Sequence, residues 1–147
     1  MTIDVESHIV IQRPRDEVAR FSSDPSNAPA WYVNIKSVEW KTAPPAGVGS
    51  RVAFVAHFLG RRLAYTYEVV ELAPGARFVM RTAEGPFPME TTYTWTSTAH
   101  GGTRTTLRNR GTPSGFSILL APIMGRAVRR ANQRDLLALK TLLEARA

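Results

Sequence analysis

The stretch Thr103-Arg-Thr-Thr-Leu-Arg-Asn-Arg-Gly-Thr-Pro-Ser-Gly115 divides the chain into two regimes of hydrophobic periodicity. Before it, apolar and polar residues alternate with period two, the repeat of a strand with one dry and one wet face. After Gly115 the period becomes 3.6. Met124, Ala127, Val128, Ala131, Ala138, Leu139 and Leu142 share one helical stripe, and Arg126, Arg129, Arg130, Gln133 and Lys140 lie opposite. A long amphipathic helix therefore closes the chain, with Pro122 marking its start or a kink after the short apolar turn Phe116–Leu120.

Upstream of the divide the pattern is strand after strand. Ile35–Thr42 ends at Pro44-Pro45 and a glycine turn. Arg51–Leu59 alternates Val52, Phe54, Ala56 and Phe58 against Arg51, Ala53, Val55 and His57. Leu59-Gly60-Arg61-Arg62 reads as a tight hairpin into Leu63, Tyr65, Tyr67 and Val69. Pro74-Gly75 leads to Arg77–Ala83, where Phe78 and Met80 oppose Arg77, Val79 and Arg81. Met89, Thr91, Tyr93 and Trp95 form the next inward row, and His100-Gly101-Gly102 turns the chain into Thr103–Arg110. Short turns between consecutive strands mean an antiparallel meander. At the N-terminus Ile3, Val5, Ser7, Ile9 and Ile11 alternate with Asp4, Glu6 and His8, giving a first strand. Pro14, followed by Asp16 and Glu17, suits the start of a short helix. The prolines within Asp24–Trp31 restrict the second helical element to a turn or two. The order predicts an α+β fold: seven antiparallel strands curved around a long C-terminal helix, with two short helices between strands 1 and 2.

The 147 residues suit one domain, 1–147, large enough to bury a core without staples. Cysteine is absent, which rules out disulfide scaffolds and thiolate chemistry. The net charge of +7 comes mainly from arginine, which supplies 16 of the 19 cations. No basic leader and no apolar run of membrane-spanning length occurs, so a soluble, cytoplasmic protein is expected.

The opening strand followed by Arg13-Pro-Arg-Asp-Glu-Val18, the Asp24–Trp31 segment and the Gly111–Gly115 hinge together resemble the START/polyketide-cyclase superfamily, with its birch-pollen-allergen-like helix-grip fold. The resemblance spans essentially the whole chain. It implies a deep apolar cavity for a lipid, a polyketide or another aromatic or isoprenoid molecule. It implies no particular reaction, because the superfamily includes carriers, cyclases and dehydratases.

The inward rows supply Phe54, Phe58, Tyr65, Tyr67, Met80, Met89, Tyr93 and Trp95, and the helical end adds Phe116 and Met124. These are the candidate ligand-binding residues, against the plainer reading of a packed core. Tyrosines concentrated on an inner face favour a cavity, because their hydroxyls can orient an otherwise apolar ligand. Trp31 either lines the mouth or plugs the end of the core. Asp135 falls within the apolar stripe, where a carboxylate must be paired, hydrogen-bonded or protonated. It is either a polar anchor or general base in the cavity, or a structural acid bonded to a tyrosine hydroxyl or a flanking arginine. Any catalytic role falls to Asp135, to Tyr93 or another tyrosine, or to Asn109.

His8, His57 and His100 lack metal-ligand spacing, and neither a nucleophile elbow nor a phosphate loop occurs, so neither a metal nor a cofactor is expected. The arginines spread over several outer faces while the aromatics point inward, which disfavours nucleic acid and leaves at most weak contact with anionic membrane surfaces. The expectation is a carrier or binding protein for a hydrophobic small molecule. The alternative is a cyclase or dehydratase using Tyr and Asp acid–base groups in the same cavity. Convergent polar groups inside would favour the enzyme, and an almost wholly apolar wall the carrier.

Overall fold

A computed structural model describes residues 2–112 and 121–146. Strand β1 (Ile3–Ile11) is followed by helix α1 (Arg15–Ser22), a 3-10 turn (Pro25–Asn27) and the one-turn helix α2 (Ala28–Trp31). Strands β2 (Ile35–Trp40), β3 (Arg51–Phe58), β4 (Arg61–Ala73), β5 (Arg77–Glu84), β6 (Met89–Ser97) and β7 (Thr103–Gly111) come next, and helix α3 (Ala121–Glu144) closes the chain. The Gly111–Gly115 hinge is described only as far as Thr112, and the Phe116–Leu120 turn, with the predicted ligand residue Phe116, lies outside the described residues.

All seven strands join one antiparallel sheet in the order β1-β7-β6-β5-β4-β3-β2. The six later strands form the expected meander, and β1 returns to pair with β7 from Ile3↔Gly111 to Ile11↔Thr103. The predicted architecture is the one observed. Its details differ at strand ends: β2 stops at Trp40, and β4 runs 13 residues, well past the alternating Leu63–Val69 segment. Two register shifts within the β4–β5 pairing, at Thr66/Tyr67 and Val69/Glu71, bend this long strand.

The free edge of β1 is covered by α3, which removes an exposed strand edge. Lys140 Nζ donates to the Val10 carbonyl at 2.8 Å, Asn132 Nδ2 reaches the Val5 carbonyl at 3.5 Å, and Glu144 accepts from the Gln12 N–H at 2.8 Å. Between helix and sheet lies an apolar interior that includes Val52, Phe54, Phe78, Trp95, Leu107, Leu136, Leu139 and Leu143.

The outer face of the sheet carries cross-strand ion pairs. Arg51–Glu68 joins β3 to β4, Arg77–Glu71 joins β4 to β5, and Arg108–Asp4 joins β7 to β1. Glu90 of β6 bridges Arg81 of β5 and Arg110 of β7. Val79, expected to face solvent, is only 4% exposed. On that face it stands between Arg77 and Arg81 in the strand and opposite Glu71 and Thr92 of the neighbouring strands.

Candidate functional site

The sheet's concave face and α3 do not close fully on one another. The space between them is a cavity of about 150 Å³. One water needs roughly 10–15 Å³ of such space, so the cavity has room for a molecule of many atoms.

Alternation on the strands aims the wall. Phe54 and Phe58 on β3, Tyr65 and Tyr67 on β4, Met80 on β5, and Met89 and Tyr93 on β6 all line the cavity, with Met124 from α3. These eight of the eleven residues proposed from sequence are brought together. Gly111 sits beside one of them: a Cβ there would fall 2.7 Å from the Pro88 carbonyl oxygen as well as against the Met89 side chain, so β7 passes this point without a side chain. Trp95 and Trp31 are buried at 2% exposure but stand outside the cavity wall. Trp95 donates from Nε1 to Ser22 Oγ at 3.0 Å, which locks it to α1. Trp31 packs at a tilt against Tyr32 with ring centroids 4.2 Å apart and beside Tyr93 at 5.9 Å, so it plugs the core instead of lining the mouth.

Two polar groupings interrupt this wall. In the first, Asp135 of α3 is 3% exposed and accepts a hydrogen bond from the Val33 backbone N–H at 2.9 Å. Sequence reasoning offered a tyrosine hydroxyl or an arginine as its structural partner; the loop between α2 and β2 supplies a backbone donor in their place. Burial pushes the carboxyl up to about 7, and the Val33 hydrogen bond offsets only part of that rise. Nearby, the hydroxyls of Tyr32 and Tyr93 hydrogen-bond to each other. Burial raises the phenols of Tyr32, Tyr65 and Tyr93, and a charge on Asp135 raises all three further.

The second grouping runs across four elements. Thr91 Oγ1 donates to Asn109 Oδ1 at 2.6 Å, and Asn109 Nδ2 donates to Asn132 Oδ1 at 2.8 Å. The Tyr67 hydroxyl lies 3.3 Å from Thr91 Oγ1. All four residues line the cavity. Asn132 was legible in principle, being a second polar residue on the apolar stripe three positions before Asp135. Tyr32 was not, because the α2–β2 loop that turns it inward has no periodicity.

Among the described residues no three His, Asp or Glu side chains come together as a metal site, and no helix is long and apolar enough to cross a membrane.

The fold is shared with solved structures at low sequence identity. The protein TTHA0849 of Thermus thermophilus matches with a TM-score of 0.83 at 21% identity, covering 97% of this chain and 99% of its own. A START superfamily protein from Mycobacterium smegmatis matches with a TM-score of 0.82 at 14% identity, covering 96% and 97%. The Zhui aromatase/cyclase from Streptomyces sp. R1128 gives 0.81 at 17% identity, covering 98% and 94%. At these identities the likeness establishes the fold alone. No curated protein matches the sequence. The family model described as polyketide cyclase/dehydrase and lipid transport matches residues 2–144, nearly the whole chain, and the protein belongs to that family.

Proposed function

We propose that the chain acts as a single ligand-binding domain that takes up a mainly apolar, oxygen-bearing small molecule and holds it as a carrier or binding protein. The observation that supports this reading is the composition of the cavity wall. Phe54, Phe58, Phe78, Met80, Met89 and Met124 supply broad apolar contact, and the polar atoms of Tyr67, Thr91, Asn109 and Asn132 largely satisfy one another. Such a wall gains affinity by desolvating ligand, and its few hydroxyl, amide and carboxyl groups select the orientation.

A second reading, an acid–base enzyme of the cyclase or dehydratase type, draws on the polar groups that converge in the cavity, the feature expected to favour an enzyme, with Tyr93, Asn109, Asn132 and Asp135 among them. Asp135 lines the cavity with a carboxyl pushed up to about 7, so near neutral pH it can both give and accept a proton. The Tyr32–Tyr93 hydroxyl pair stands beside it; one of its two protons bridges the pair and the other is left to donate to a ligand carbonyl. In this reading Asp135→Asn abolishes turnover while leaving ligand affinity within a fewfold; in the carrier reading no turnover exists to lose.

Native mass spectrometry of the protein as purified, followed by extraction of any bound molecule, tests the primary reading. The expected result is added mass from an apolar molecule, or uptake of one from a panel of lipids and aromatic polyketides. An empty protein that binds no member of the panel overturns it.

A further inference from the structure

We propose that the groove at the cavity mouth is a docking surface for an anionic lipid bilayer. The groove is bounded by Val33 of the α2–β2 loop, by Leu59 at the tip of the β3–β4 hairpin, and by Ile123, Arg126, Arg129, Arg130 and Arg134 of α3. It shares Asn34, Phe58 and Ala131 with the cavity wall, so the two spaces adjoin. Val33, Leu59 and Ile123 are 44%, 46% and 49% exposed, which places three large exposed apolar side chains around one opening.

Unmatched positive charge is concentrated on this surface, where four arginines of one helix line a single groove. Five arginines of the sheet face, Arg51, Arg77, Arg81, Arg108 and Arg110, are matched across strands by Glu68, Glu71, Glu90 and Asp4, whereas Arg62 and Arg104 stand singly on separate strands. The four groove arginines are exposed, and none has an ion-pair or hydrogen-bond partner among the described residues. The carboxylates of α3 lie elsewhere: Asp135 is buried on the cavity side, and Glu144 is held by Lys140 and Gln12. Between Arg126 and Arg134 a helix rises about 12 Å. That span exceeds one phosphate or carboxylate and suits a row of headgroups. A bilayer would set that row against the arginines and its apolar layer against Val33, Leu59 and Ile123. An acidic soluble protein would satisfy the charge without requiring the apolar trio. This surface goes beyond the ligand reading, and it is tested with vesicles alone, so the two stand or fall separately.

Vesicle flotation supplies the test. The protein is expected to float with phosphatidylcholine–phosphatidylglycerol vesicles at about 0.1 M salt and to be released near 1 M, where screening is short-ranged. It should not float with phosphatidylcholine alone. Arg126→Ala/Arg130→Ala should lower partitioning about 25-fold, about fivefold for each cation lost near the surface. Leu59→Asn should also weaken binding, and a thermal melt no lower than that of the native protein would show an intact fold. Absence of flotation with the anionic vesicles, equal flotation with neutral ones, or indifference to the arginine pair would overturn the proposal. So would salt-sensitive binding to an acidic soluble protein with Leu59→Asn having no effect on vesicles, which would assign the groove to a protein partner.

Discussion

Replacing Asp135 by asparagine tests the environment of the cavity through stability alone. Asp135 is 3% exposed, and burial moves its carboxyl from 3.8 to about 7. In the unfolded chain the same group titrates near 3.9. The folded state therefore keeps its proton to higher pH than the unfolded state. Its contribution is fully present below about pH 4, falls as pH rises toward 7, and stays lost above that. A shift of about three units at about 1.4 kcal/mol each amounts to about 4 kcal/mol. Asparagine retains an acceptor for the Val33 N–H and cannot ionise, so it escapes this loss. Relative to the native protein, Asp135→Asn should be about 4 kcal/mol better placed near pH 8 than near pH 4, or about 8–16 °C in Tm for a domain of this size. Comparing the two pH values cancels any pH-independent cost of the amide. It also cancels Asp4, Glu90 and Glu144, whose carboxyls are shifted the other way and are common to both proteins. Urea melts of both proteins at both pH values are the assay. An identical difference at pH 4 and pH 8, or a relative loss at pH 8, would refute the reasoning.

Three further outcomes follow from the geometry. Tyr93→Phe removes the Tyr32–Tyr93 hydroxyl contact and should cost about 1 kcal/mol in a urea melt, with the midpoint moving and the slope unchanged. Asn132→Leu leaves Asn109 Nδ2 without its acceptor inside the cavity wall, and a loss of about 1–3 kcal/mol is expected; a double-mutant cycle with Asn109→Ala should show coupling above about 0.5 kcal/mol. Leu59 holds a φ of 51° beside Gly60 at 74°, a left-handed pair that suits a hairpin turn but strains a leucine. Leu59→Gly should therefore leave the melt unchanged or raise stability by up to about 1 kcal/mol, where loss of a packed leucine would have lowered it.

The fold was readable because each element carried its own period. Alternation placed Phe54, Tyr67, Met80 and Tyr93 on one face of the sheet, and the helical stripe put Met124 and Asp135 opposite them. What alternation could not give was the partner of each polar atom. The Val33 N–H that meets Asp135 lies 102 residues away in sequence, in a loop with no pattern. The Asn109–Asn132 contact depends on how far α3 slides along β1, which no local signal encodes. The pairing of charges is non-local in the same way. Counted along the sequence, the arginines spread over several outer faces; the strand register pairs Arg77, Arg108 and Arg110 with acids, and four arginines without partners among the described residues stand together on α3 at the cavity mouth. Trp31 and Trp95 had the right hydrophobicity for the cavity wall but fill the core beside it, since periodicity fixes a face and not a depth.

The central claim is that the space between sheet and α3 receives ligand, and a blocking substitution tests it most directly. Ala56 of β3 is 6% exposed and lines the cavity, so Ala56→Trp directs an indole into the void. Binding of the neutral hydrophobic dye Nile red is measured by fluorescence titration for both proteins, alongside their melting curves. Native protein should bind the dye, and Ala56→Trp should bind it at least about tenfold more weakly, a loss of about 1.4 kcal/mol, at a Tm within a few degrees. Equal affinity in a folded Ala56→Trp, or no binding by the native protein, would contradict the account.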